Sequence, residues 1–375
     1  MQKERRFTPF ELKWILYDVG NSAFVLLAST ILPIYFEAVA GAAGISDAQS
    51  TAYWGYTASA VTIVTALISP ILGTLADFKG KKALFLIFSL LGIVGCLFLA
   101  VPMHWLIFLF VYGIAKVGLS SSLVFYDSML PDVTSEERLH KISSHGYAWG
   151  YIGSCIPFIV CLAIVLFSDM SSLSLILAFI ITGVSWFAFT MPLARSYRQT
   201  HFLPRPEKPF KSAFKRLGQL FGELRKNKKA FLFLLAFFFY IDGVYTIIDM
   251  ATKFGSALGL EMPSLLIALL VTQIVAFPSA IAFGVLTKKV SDAKLIAVCI
   301  AAYTFVGFFA VFLYHEWQFW VLAVMVGLFQ GGIQALSRSY FAKLVPAEKS
   351  GEYFGVFDIF GKGAAFLGNL LFGVT

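Results

Sequence analysis

A few ionisable side chains stand inside stretches that are otherwise apolar: Asp18, Glu37, Lys116, Asp127, Asp242, Asp249, Lys253, Arg338, Asp358 and Lys362. A charge in hydrocarbon costs about 2.5–3.5 kcal/mol on insertion scales, so each needs a cavity or a partner. Asp242 and Lys116, opposite in sign, could hold the two ends of a zwitterion, or could form an ion pair with a purely structural role. Asp18 and Asn21 lie in Tyr17-Asp18-Val19-Gly20-Asn21-Ser22. The carboxylate suits a gate or a proton-titratable site; the plainer alternative is a cap on a helix's first turn. Gln330, Gln334 and Ser337 recur at i, i+4 and i+7, which suits a cavity wall or hydrogen bonds between helices without a ligand. Asp358 and Lys362 are an i, i+4 pair and read as structural.

Other chemistries lack their residues. His104, His140, His145, His201 and His315 are scattered, with no His-x-x-His or His-Glu-x-x-His. A membrane-embedded enzyme, which needs a nucleophile–base or metal constellation at one depth, is therefore disfavoured, and no metal or cofactor is expected. His145 reads as an interfacial histidine rather than a proton relay. No Gly-rich phosphate cradle runs into Lys-Ser/Thr, which argues against ATP-driven chemistry. Cys96, Cys155, Cys161 and Cys299 fall in apolar stretches and read as small core residues.

The elements that must position these groups are membrane spans. The chain is 59% hydrophobic and only 13% charged, against about 25% charged in soluble domains. Several apolar stretches exceed the roughly 18 residues of a span and are too long for barrel strands. We read an all-α polytopic membrane protein with spans at 14–39, 53–76, 82–101, 105–129, 142–167, 172–193, 229–255, 263–287, 293–313, 317–343 and 352–375. No cleavable signal peptide is evident. At 1.5 Å per residue, Lys116, Asp242 and Gln330 fall near the midplane. The first span of each three carries charge and the third does not, so spans 1, 4, 7 and 10 should line a central path while 3, 6 and 9 face lipid.

All Lys and Arg except Lys116, Lys253 and Lys362 belong to loops and span ends on one side. Basic residues are retained on the cytoplasmic side, which places the N-terminus and the central basic segment there. At a constant offset, Pro131, Ser135, Glu137, Gly146 and Gly153 fall on Pro346, Ser350, Glu352, Gly361 and Gly368, the mark of an internal duplication. The expected division is a six-span bundle at 1–194, a basic linker at 195–228 and a second bundle at 229–375 with five spans, one short of its partner. In the segment Arg195–Lys229, Pro204, Pro206 and Pro209 break the first half. From Lys211 to Leu224, Phe214, Leu217 and Phe221 define an amphipathic helix expected to lie on an anionic leaflet. Spans on both sides keep it from nucleic acid.

Between spans 2 and 3 stands Gly73-Thr74-Leu75-Ala76-Asp77-Phe78-Lys79-Gly80-Lys81-Lys82. Glycine permits close helix approach and a tight turn, Asp77 can accept hydrogen bonds from a helix N-terminus, and the lysines are expected among headgroups. This loop resembles the signature loop of the major facilitator superfamily at Gly73, Leu75, Asp77, Gly80 and the basic pair that includes Lys81. The resemblance implies two pseudo-symmetric six-helix bundles and a loop that latches the cytoplasmic gate. The counterpart Gly284-Val285-Leu286-Thr287-Lys288-Lys289 keeps only the Gly, the Leu and the basic charge.

Tyr17-Asp18…Asn21-Ser22-Ala23-Phe24, Leu130-Pro131…Ser135-Glu136-Glu137-Arg138…Ile142-Ser143-Ser144…Gly146-Tyr147-Ala148…Gly150-Tyr151 and Gln334-Ala335-Leu336-Ser337-Arg338-Ser339 resemble the branch related to the yeast vacuolar amino-acid effluxer. Val19-Gly20 stands where that branch has a Trp-Ala pair, a difference that leaves the fold unaffected and leaves room for a shifted pocket or substrate. The resemblance implies a secondary active transporter moving amino acids or similar small solutes by alternating access, with protons or another ion as the coupling partner. An exporter of another metabolite or drug is the alternative, as is a transporter-like sensor, although a sensor usually carries an added soluble domain. The expected setting is the inner cell membrane, with a small-molecule substrate and the lipid bilayer as partners and a monomer as the working form.

Overall fold

The computed structural model describes residues 6–168, 172–257 and 259–374, with side chains described for all of these except 166–167, 172, 221, 249–254, 256–257, 262–263 and 365–374. Asp249, Lys253 and Phe221, singled out above, therefore lie outside the described side chains.

The helices are α1 (Pro9–Ser29), α2 (Ile31–Ala42), α3 (Asp47–Asp77), α4 (Lys81–Phe98), α5 (Trp105–Ser128), the single turn α6 (Leu130–Val133), α7 (Leu139–Phe167), α8 (Ser172–Ser196), α9 (Pro209–Lys226), α10 (Lys228–Ala257), α11 (Met262–Leu286), α12 (Asp292–Val311), α13 (Glu316–Leu344) and α14 (Ser350–Val374). Among the described residues, nine single helices and the α1–α2 pair are long and apolar enough to cross a membrane. With the 25-residue α14, they occupy the eleven expected spans.

The first span is broken. α1 and α2 meet at 42° around Thr30. Pro33 has no N–H for the carbonyl of Ser29, and its ring crowds that carbonyl. Thr30 then turns its hydroxyl back to Leu26 O at 2.6 Å. The start of α1 is specified locally: Thr8 and Glu11 cap each other's backbone N–H, and Pro9 occupies the first turn.

Tight packing comes from small residues, as expected where lipid tails are as apolar as leucine. Gly92 of α4 and Gly118 of α5 lie in backbone contact, and Gly95 sits on Ala115. α4, α8 and α12 expose large apolar side chains such as Ile87, Val184 and Phe308, in keeping with spans that face lipid. α1 packs on α7 and α8, and α4 on α5 and α8; in the other half α10 packs on α14, and α11 and α12 pack on α13. Two seams join the halves, α3 with α14, and α7 with α11 and α13.

The central segment forms a helix, one face of which docks on the bundle. α9 starts at Pro209 and docks on α3 and α10. Its buried stripe is Ala213, Leu220 and Leu224, while Phe214 is 59% exposed. Two ion pairs set this rotation: Arg216 grips both oxygens of Glu352 at 3.0 and 2.7 Å, and Lys349 meets Glu223 at 2.7 Å. The bundle offers this stripe an apolar seat with matching charges.

Candidate functional site

The α3–α14 seam is built from glycine. A Cβ on Gly73 would fall on the Gly351 carbonyl, one on Gly351 would fall on Gly73 O, and one on Gly355 would fall on Ser69 O. The two backbones therefore cross in direct contact. This brings the buried carboxylate of Asp77 to the start of α14, where it accepts the N–H groups of Gly351 and Glu352, both at 2.8 Å. Those amides are among the four that every helix leaves unsatisfied at its N-terminus, and the helix dipole favours an anion there. Deeper on the seam, Ser69 donates to Asp358 at 2.7 Å, and Lys362 meets the same carboxylate oxygen at 2.5 Å.

Lys81 is not among headgroups. Its side chain is fully buried, 3.9 Å from Asp77 and 3.6 Å from Asp132. Its ammonium donates to Ser128 O at 3.0 Å and to Ser350 Oγ at 2.8 Å. Two carboxylates and two oxygen acceptors replace water around the charge, so burial is tolerated. The turn is also made differently than expected. Lys79 takes the left-handed conformation (φ 66°), while Gly80 has φ −113°; Lys79 is exposed, with its ammonium 4.9 Å from the Phe202 ring.

Asp132, in the turn after α5, fastens the chain leaving α8. It accepts from Tyr197 Oη and, through its other oxygen, from the N–H groups of Thr200 (3.2 Å) and His201 (2.8 Å). Burial pushes this carboxyl up, but the Lys81 charge and these hydrogen bonds outweigh it and hold the group below its ordinary value.

The second seam carries the main charge cluster. Arg338 leaves α13 and enters the opposite half. Its Nη1 lies 3.0 Å from Asp127 and 3.5 Å from Asp18. Nε donates to Ser143 Oγ and Nη2 to Ser143 O, both at 2.9 Å. Tyr147 stacks on the guanidinium at 4.1 Å, with Trp14 at 4.8 Å. Asp18 also accepts from Tyr126 Oη (3.0 Å) and Asn21 Nδ2 (3.3 Å). Asp18 is thus not a cap; Thr8 performs that role, and Asp18 sits nine residues inside α1.

Beside this cluster, His140 of α7 meets Ser339 Oγ at 2.7 Å through Nδ1 and Asp292 at 2.9 Å through Nε2, with Lys343 3.3 Å from the same carboxylate oxygen. Gly284 rests on Ser144. The second loop therefore has a carboxylate, Asp292, eight residues beyond Gly284. It follows Asp77 at the same offset that relates Pro131 to Pro346.

Toward the midplane, Gln334 accepts from Tyr151 Oη at 2.7 Å across the seam, and Ser337 shares a hydrogen bond with Tyr240 at 2.7 Å. Gln330 is buried and lines a cavity of about 50 Å³ with Thr272, Gln273 and apolar side chains of α10, α11 and α13. Lys116 and Asp242 are half-buried on α5 and α10, helices that both pack against α14. Glu37 is exposed on α2. The structure thus brings Asp18 to Arg338 with Asn21 bonded to Asp18, Gly73, Asp77 and Lys81 to α14, and Gln334 to Tyr151. Asp127, Arg338, His140 and Asp292 were missed as site residues. In-span charge pointed to Asp127 and Arg338, and the repeat offset pointed to Asp292.

Val19 and Gly20 face the first half's own helices. Val19 packs on Gly153, and a Cβ on Gly20 would strike Phe189 and Trp186, so the pair adjusts packing inside the first half.

Two helical halves meeting at two seams define the major facilitator class. The structure matches that of the human organic anion transporter MFSD10 (TETRAN) with TM-score 0.69 at 12% identity, over 96% of this chain and 92% of that one. It matches the proton:xylose symporter XylE with TM-score 0.68 at 11% identity, over 98% and 87%. Residues 11–375 match the family described as vacuole effluxer Atg22 like, and the chain belongs to that family. It is 44% identical to the MFS-type transporter YxiO of Bacillus subtilis, over 99% of this chain and 89% of that protein. Autophagy-related protein 22-1 of Aspergillus niger is 26% identical over 62% of this chain, a match that spans 42% of the fungal protein's length.

Proposed function

We propose that this membrane transporter works by alternating access on a small solute of the amino-acid class, coupled to protons or another ion. One observation carries the reading. Arg338 of one half is seated between Asp18 and Asp127 of the other, an arrangement that closes the basic face and must come apart for the halves to rock. The excess of Lys and Arg on that face makes it the cytoplasmic one, so the closed gate belongs to a form open to the opposite side. Lys116, Asp242, Gln330 and Gln334, near the midplane, are the solute-binding candidates. Gly73, Asp77, Gly80 and Lys81 serve the gate, and Asp18 serves it rather than the solute.

The test is counterflow in proteoliposomes with a panel of amino acids, run with and without a pH gradient. Asp242→Asn is expected to abolish flux while expression is retained. Asp77→Asn is expected to slow cycling with binding intact, since Asn keeps an acceptor for the α14 amides but loses the charge. Normal flux in Asp242→Asn removes that residue from the site. If no panel member is transported although ligands still raise the melting temperature, a receptor role replaces the transport reading.

A further inference from the structure

Between α9, α10 and α14 lies a cavity of about 470 Å³, within the range of about 300–1,000 Å³ common for small-molecule sites. Phe231 and Leu234 of α10 and Phe360 of α14 make its inner wall apolar. The α9 wall is Gly218, Gly222 and Leu224, and a Cβ on either glycine would meet no atom within 4 Å. Glycine is among the least favourable residues in a helix interior. Here neither close packing nor a positive φ requires it, and the two glycines, one turn apart, leave the wall hollow. Arg225 completes the lining.

Arg225 is the one charged residue of the lining, and three lysines follow it in the chain at the α9–α10 turn. Arg225, Lys226, Lys228 and Lys229 are exposed, and among the described residues none of the four makes a hydrogen bond or ion pair. Next along α10, Leu232 and Phe239 are 61% and 70% exposed, so the mouth sits where the apolar belt meets the basic face. An apolar hollow opening beneath uncompensated cations at that level matches an amphiphile with a hydrocarbon tail and an anionic head.

We propose that this cavity binds one anionic phospholipid of the surrounding bilayer. Its acyl chain lies against Phe231, Leu234 and Phe360, its phosphate meets Arg225, and the three lysines supply the surrounding field. A lipid seated there braces α9 against α10 and α14, beside the Arg216–Glu352 pair.

The purified chain in detergent is titrated with short-chain phosphatidylglycerol, phosphatidylcholine and glycerol phosphate. Binding is read by melting temperature and by native mass spectrometry. Phosphatidylglycerol is expected to bind and raise the melting temperature, phosphatidylcholine to bind at least about fivefold more weakly, and glycerol phosphate, which lacks a tail, not to compete. Gly222→Leu, which grows into open space, should abolish lipid binding with the charges intact. Arg225→Gln should weaken phosphatidylglycerol about fivefold. Wild-type binding in Gly222→Leu, equal binding of the two lipids, or full competition by glycerol phosphate each overturns the proposal.

Discussion

In the gate proposed above, Arg338 is the residue on which closure most depends. A buried guanidinium loses its hydration, and here two carboxylates, two Ser143 oxygens and the Tyr147 face replace it. Removing one partner of a buried ion pair costs about 3–5 kcal/mol, because the remaining charge is stranded. Arg338→Gln strands two carboxylates and should open the basic face. Spin labels on the exposed Glu137→Cys and Lys288→Cys would read this as a longer distance; an unchanged distance would rule out the gate assignment. Asp127→Asn should have a smaller effect, because Asp18 still faces the arginine. A second prediction concerns Asp132. A carboxyl held below its ordinary value stabilises the fold above the unfolded value of about 3.9, and that contribution is lost as pH falls through the folded value. Protection of the Thr200 and His201 amides from hydrogen exchange, relative to the intrinsic rate at each pH, should therefore hold from about pH 5 upward and fall only in stronger acid, while Asp132→Ala loses it at neutral pH. Lost protection in the wild type near pH 6 counts against it. Asp18 and Asp77 were legible from the sequence because a charge or a glycine-flanked carboxylate stands out locally. The partner that Asp18 and Asp127 share was not, since Arg338 lies 211 residues from Asp127 and further still from Asp18, and no local pattern encodes which in-span charges meet.

For the elements, hydropathy alone gave the spans, because a 30 Å apolar slab imposes a length that few soluble helices share. The bend at Thr30 was present as Pro33 but invisible to a hydropathy reading. The rotation of α9 was out of reach for another reason. Its stripe of Phe214, Leu217 and Phe221 satisfies helical spacing as well as Ala213, Leu220 and Leu224 do, and only Glu352 and Lys349, more than a hundred residues away, decide between them. Glu352→Ala should loosen α9, read as faster trypsin cleavage after Arg216. The α3–α14 crossing gives a sharper forecast. Gly351→Leu has no room against Gly73 O and Asp77, so it should force the seam apart; labels on Lys79→Cys and Glu348→Cys should separate. If they stay together, the glycine contact is not what holds the seam.

Across the whole molecule, the named hydrogen bonds and ion pairs that join the halves run from the basic face to about the midplane, from Asp77 and His140 down to Asp358 and Gln334. The Asp77 and Arg338 clusters share no residue. Their contributions to the closed form should therefore add within about 0.3–0.5 kcal/mol in the Asp77→Asn/Arg338→Gln double variant; a larger coupling would show that the two seams move as one. If Asp77 latches the gate as proposed, it leaves a distinctive mark on mutational tolerance. Its donors are main-chain amides, which no ordinary side-chain replacement deletes. In a saturation scan read for gate closure, position 77 should reject nearly every residue. Position 352 should instead single out proline, which the first turn of a helix accommodates but which carries no hydrogen to give. Any loss shared by all replacements at 352 belongs to its carboxylate and Arg216. The additional loss in proline alone measures what a single backbone N–H contributes to holding a transporter shut.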